Sequence, residues 1–150
     1  MSIDVDIISP RAIRASHQDI VSKLQTPYFV TGLGPLVTSI DQPDPKNRPG
    51  LYTIHESERL FFRLIPASWN VEIEMTNTDH GVAGEVQAPL GTKCWSSWSV
   101  ADTEGGCMIV ERSRVKSFAP VALFTARKLK KAHIEMLDKM CEILERPRTE

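Results

Sequence analysis

Glu111 and His133 are the two side chains whose surroundings in the sequence suit proton transfer. A carboxyl group on an apolar interior face is held as the neutral acid unless a cation stands close, and a neutral acid can donate. Glu111 falls in a run where Cys107, Ile109, Glu111 and Ser113 alternate with Met108, Val110, Arg112 and Arg114, so on a strand the first set shares one mostly apolar face. His133 stands four residues after Leu129 and three before Met136, which on a helix puts it on their apolar stripe. If that face and that stripe meet, the pair is a proton donor and acceptor in one apolar cavity. The competing reading is structural: His133 bonds locally and Glu111 reaches solvent at a strand end.

Other chemistry-bearing residues are poorer candidates. Glu72 and Glu74 alternate with Val71, Ile73 and Met75, which marks the wet face of a strand more simply than an acid/base pair. His55 shares parity with Thr53 and Ser57, a polar face. Cys94, Cys107 and Cys141 form no CxxC pair, and His17, His55, His80 and His133 form no HExxH or HxH. The thiols read as small buried hydrophobes in a reducing compartment, and a metal would have to be assembled entirely by the fold, so none is expected. Gly32-Leu33-Gly34-Pro35 is a lone GxG with Pro where a helix amide should meet phosphate, and no GxxxxGK[ST] or GxSxG occurs; no cofactor is expected. Arg127, Lys128, Lys130 and Lys131 read as a solvated helix face.

The 150 residues, 41% hydrophobic and 25% charged, suit a single domain spanning residues 1–150, with the tail from about 146 frayed. A formal charge of -1 favours neither nucleic acid nor an anionic membrane. No apolar run approaches the ~18 residues of a membrane span, and Asp4 and Asp6 interrupt the run Ile3 to Ile8, so a soluble, cytoplasmic protein is expected; nothing here argues against a homodimer.

The elements that must position these residues follow from periodicity. Ile3, Val5 and Ile7 predict a short strand ended at Ser9-Pro10, and Ser16 with Asp19 predicts the start of a helix closed by Pro27. Tyr28 to Pro35 predicts a second short helix, leading to a strand near Leu36 to Ile40. Asp41 to Gly50, with Pro43, Pro45 and Pro49, predicts a loop long enough to act as a lid. A period of two then runs through Tyr52, Ile54, Val71, Ile73, Met75, Val82, Val86 and Ala88, with turns at 63–68, 77–81, 89–91 and 102–106. From Val121 to Arg146 the period is 3.6, a helix of roughly 39 Å. The expected class is α+β: an antiparallel sheet of about six to seven strands against one long C-terminal helix, with two short helices after the first strand.

A turn centred between Thr103 and Glu104 pairs Val100 with Cys107, Trp98 with Ile109, Ser96 with Glu111 and Cys94 with Ser113 on an inward face. The outward face holds Ser99, Ser97, Trp95, Lys93, Arg112 and Arg114, with Arg112 over Trp95. The expected walls of an apolar cavity are Trp69, Ile73, Val86, Trp98, Ile109, Leu129, Met136 and Met140.

That element order, with the segments "YTIHESERLFF", "SWNVEIEMTNTDHGVAGEVQAPLGTKCWSSWSV" and "GGCMIVERSRVKSFAPVALFTARKLKKAHIEMLDKM", resembles the START-like helix-grip superfamily, also called SRPBCC, and within it small, functionally obscure fungal proteins. The resemblance covers nearly the whole chain. It implies a sheet wrapped around the long helix, with a deep apolar cavity between them of the kind used for lipids, sterols and polyketides. It carries over no catalytic residue. Two functions compete: a cofactor-independent cyclase or isomerase, pericyclic or otherwise, acting on a hydrophobic polyketide or terpenoid intermediate of secondary metabolism, and a carrier that binds a lipophilic molecule unchanged. The enzyme is the preferred expectation.

Overall fold

A computed structural model describes residues 2–60 and 65–145; the expected frayed tail and the first residues of the turn at 63–68 lie outside these. The N-terminal alternation runs further than expected. Strand β1 is Ser2–Ile13 with Pro10 inside it, because β1 is the first strand of the sheet and pairs on one side only, with β7. Proline is tolerated at such an edge, where its missing N–H faces no neighbouring strand. Ser16 then caps α1 (His17–Leu24), its Oγ accepting from the Asp19 amide at 3.1 Å. Pro27 does more than close this helix: it occupies the first turn of α2 (Pro27–Gly32), where a missing N–H costs nothing.

The remaining strands are β2 (Val37–Asp41), β3 (Leu51–Leu60), β4 (Ile65–Thr78), β5 (Gly81–Ala88), β6 (Thr92–Thr103) and β7 (Gly106–Phe118). With β1 they form one seven-stranded antiparallel sheet in the order β1-β7-β6-β5-β4-β3-β2. Strand β4 begins at Ile65, inside the expected turn, and contains Pro66, opposite Arg59. Pairing with β5 starts only at Glu72, so Pro66 also has an open side. The long helix α3 runs Ala119–Leu144 with Pro120 in its first turn. This is the helix-grip arrangement, and no described helix is long and apolar enough to cross a membrane.

The β6–β7 register corrects the expectation by two residues. Thr103 faces Gly106, with Glu104 and Gly105 as the turn, because the turn needs a left-handed residue and Gly105 supplies it at φ 81°. A shift of two keeps every side chain on its expected face. Cys94, Trp98, Val100, Cys107, Ile109, Glu111, Ser113 and Val115 are all buried, whereas Lys93, Trp95, Arg112 and Arg114 are exposed. The partners change: Trp98 faces Glu111, Ser96 faces Ser113, and Trp95 faces Arg114, itself bound to Asp6 at 2.9 Å.

Helix α3 packs closely on β1 and β7, and α1 on β5 and β6. The main core lies there, with Ile13, Ile20, Leu24, Ile109, Leu137 and Met140 at 2% exposure or less. Over β3, β4 and β5 burial is mixed: Tyr52, Ile54, Val71 and Val82 are buried, whereas Trp69, Ile73, Met75 and Val86 are half-buried on the inward face.

Candidate functional site

The sheet register assembles the inward polar groups in two neighbouring rows. Ser9, Glu111 and Trp98 stand opposite one another on β1, β7 and β6; Ile7, Ser113, Ser96 and Gly84 form the next row, on β1, β7, β6 and β5. From above, α3 lowers His133 onto the first row. Its Nδ1 lies 2.9 Å from Glu111 Oε1, and its ring meets Trp98 edge-on with centroids 5.1 Å apart. Glu111 is fully buried and His133 is 7% exposed. The structure thus brings the two sequence-selected groups together, although opposite a different β6 residue than expected.

Two serines that the sequence reading passed over extend the pair. Ser113 Oγ donates to Glu111 Oε1, and Ser113 Oγ lies 2.9 Å from Ser96 Oγ. Ser96 is half-buried and stands opposite Gly84, over which the Ile73 side chain lies: a Cβ at Gly84 would come 2.9 Å from Ile73 Cδ1. Three buried polar atoms at this point have no hydrogen-bond partner: Ser9 Oγ, Glu111 Oε2 and His133 Nδ1, the last lying at ion-pair distance without hydrogen-bond alignment. Buried polar groups are ordinarily satisfied, and a cluster of unsatisfied ones in a single row is a costly arrangement in a core.

The expected cavity walls divide. Trp69, Ile73, Val86, Leu129 and Met136 are half-buried and present surface. Ile109 and Met140, at 0% exposure, and Trp98, at 6%, are corrections: their surfaces are taken up by core packing, because α3 sits directly on β7.

At the far side of the inward face is a second polar group that sequence reasoning missed. Lys128, expected on a solvated face, is half-buried and its Nζ bonds Glu58. Glu56 is held above the usual carboxylate range by burial, against a hydrogen bond from Trp69 that favours its ionised form. The parity that placed His55 outward already put Glu56 and Glu58 inward with Tyr52 and Ile54. His55 itself lies on the outer face between Asp41 Oδ2 and Asn70 Oδ1, each at 2.6 Å. The outer face also carries an open hollow of about 710 Å³ bordered by Asp6, Ile8, Trp95, Arg112 and Arg114.

No family model and no curated protein matches this sequence. Among solved structures the chain is similar to the di-domain ARO/CYC protein BexL of the BE-7585A biosynthetic pathway, with a TM-score of 0.72 and 16% identity over 96% of this chain and 51% of that one. It is similar to norcoclaurine synthase from Thalictrum flavum, with a TM-score of 0.66 and 16% identity over 96% of each chain. It is likewise similar to Ara h 8.0201, with a TM-score of 0.63 and 10% identity over 91% of this chain and 97% of that one. All three have helix-grip folds of the SRPBCC type; the chain spans about half the length of BexL.

Proposed function

We propose that this chain is a cyclase or isomerase that needs no cofactor for its chemistry, and that its substrate is a hydrophobic polyketide or terpenoid intermediate of secondary metabolism. The substrate lies along the half-buried side chains of Trp69, Ile73, Val86, Leu129 and Met136, which hold it in the reactive conformer. Ser96 Oγ faces a carbon next to a substrate carbonyl. It takes a proton from that carbon as its own proton passes to Ser113 and the Ser113 proton passes to Glu111 Oε1, the direction in which Ser113 donates. The C–H electron pair becomes the enolate π bond, His133 Nδ1 stands 2.9 Å from Glu111 Oε1, and the proton returns to a carbon at the other end of the conjugated system, which shifts a double bond. Mass is conserved.

The observation that carries this reading is the His133–Glu111–Ser113–Ser96 chain, which starts among buried unpartnered polar atoms and ends at a half-buried serine. The similarity in fold to an ARO/CYC protein and to norcoclaurine synthase lends support. The test incubates the purified protein with a lipophilic extract of its source and follows the mixture by liquid chromatography with mass detection. Wild type should convert one compound to a new peak of identical mass, while Ser96→Ala and Glu111→Gln should lose turnover before they lose binding. A compound retained unchanged by wild type and variants alike means a carrier and overturns the enzymatic reading.

A further inference from the structure

At the hairpin end of the inward face, where Cys107 closes the main core, three donors of different chemistry converge from three elements. His17 opens α1, and Asp102 and Cys107 face each other across the β6–β7 hairpin. His17 Nδ1 lies 2.9 Å from Asp102 Oδ1, and Cys107 Sγ lies 3.6 Å from the same oxygen. One donor atom from each residue falls within 4.8 Å of the others. With metal–ligand bonds of about 2.0–2.3 Å, a tetrahedral zinc ion separates its ligands by roughly 3.3–3.8 Å, so the trio needs only a small opening of the His17–Asp102 contact.

His80, on the turn between β4 and β5, supplies a second observation. Its Nδ1 lies 3.3 Å from His17 Nε2, with the rings edge to face at 5.4 Å. If His17 binds a metal through Nδ1, its Nε2–H donates to His80, and that outer hydrogen bond fixes the tautomer and ring orientation a ligand needs.

We infer that His17, Asp102 and Cys107 form a site for a zinc-like divalent cation, with His80 as the positioning residue behind His17. The thiolate and carboxylate neutralise a 2+ ion. Binding breaks the Cys107 S–H bond, forms a metal–sulfur bond and releases that proton to solvent. The fourth position faces solvent, because the Asp102 side chain is 78% exposed. The cluster is distinct from the proposed proton relay, since Cys107 and Glu111 are four residues apart on β7, about 13 Å. A bound ion ties the start of α1 to the hairpin tip.

The test titrates the metal-free full chain with Co²⁺ alone. One equivalent per chain should raise a thiolate-to-cobalt charge-transfer band in the near ultraviolet with tetrahedral d–d bands in the visible, and Zn²⁺ should bleach both. Cys107→Ser should abolish the charge-transfer band, while Cys94→Ser and Cys141→Ser retain it. Because Cys107 is buried, Asp102→Asn, on an exposed side chain, checks the site independently of folding: it should weaken binding more than His80→Ala, for which a loss of about 10- to 100-fold is expected. A wild type without the band, a band that survives Cys107→Ser, or Asp102→Asn binding as tightly as wild type overturns the inference.

Discussion

Two histidine–carboxylate pairs in this molecule meet at the same distance, 2.9 Å, in opposite surroundings. In the His133–Glu111 pair the side chains are 9% and 0% exposed; in the His17–Asp102 pair they are 32% and 78% exposed. Distance is therefore a poor guide to what such a contact does. In the interior neither group can turn to water, so each depends on the other and the pair can hold a proton in a set place. At the hairpin tip both groups can rehydrate, so the contact is weak and its partners are free to take another ligand.

Breaking the interior pair should have the largest effect. Glu111→Ala leaves His133 buried without its carboxylate and Ser113 without its acceptor and should cost about 3–5 kcal/mol in urea unfolding, whereas replacing both residues by Leu should recover most of that loss. A single variant as stable as wild type would show that the interior pair behaves like the exposed one. Thiol modification gives an intermediate contrast. Burial pushes the Cys94 thiol up to about 11, and Cys94 packs with Ile7, Val115 and Ala126 on a strand flanked by β5 and β7, so it should react with a thiol reagent at pH 8 only as fast as the chain unfolds globally. Cys107, beside the hairpin tip, is also raised, chiefly by burial, but local fraying should expose it sooner, giving two labelling phases in mass spectra. Equal rates would remove the distinction between the regions.

The smallest effect belongs to the exposed pair. Asp102 is held below the usual carboxylate range, chiefly by its hydrogen bond with His17. A lowered folded-state value gives stability that is present above the ordinary carboxyl value near 4 and disappears as pH falls through the folded one. Metal-free Asp102→Asn should therefore melt only slightly below wild type at pH 6, and the two melting curves should converge as pH falls through the lowered Asp102 value.

The faces of the sheet were legible in the sequence because a period of two survives any even error in register, and the β6–β7 shift was such an error. The burial of Glu111 and its meeting with His133 followed from periodicity on two separate elements. The partner across β6 was not legible, since it depended on which residue of Glu104-Gly105-Gly106 takes the left-handed conformation. Pro10 reads as a strand end and Pro66 as part of a turn, because a sequence does not show which strands have an open side. Lys128 was read as solvated, since a helical wheel cannot register that α3 stands off β3 by the reach of a lysine. The His17–Asp102–Cys107 cluster was invisible for a related reason. Its members are 85 and 5 positions apart, and only the packing of α1 against the hairpin joins them.

The place of Pro10 within β1 has a consequence beyond strand length. Twelve residues of extended edge are a template for a strand from another chain, and an uninterrupted row of amides would invite sheet-to-sheet growth. Pro10 withholds one amide from that row, and the neighbouring Arg11 adds a charge held to Asp138 on α3 at 3.4 Å. The same residue that ends a strand in a naive reading here interrupts the hydrogen-bonding row of a long edge, a feature that disfavours edge-to-edge pairing.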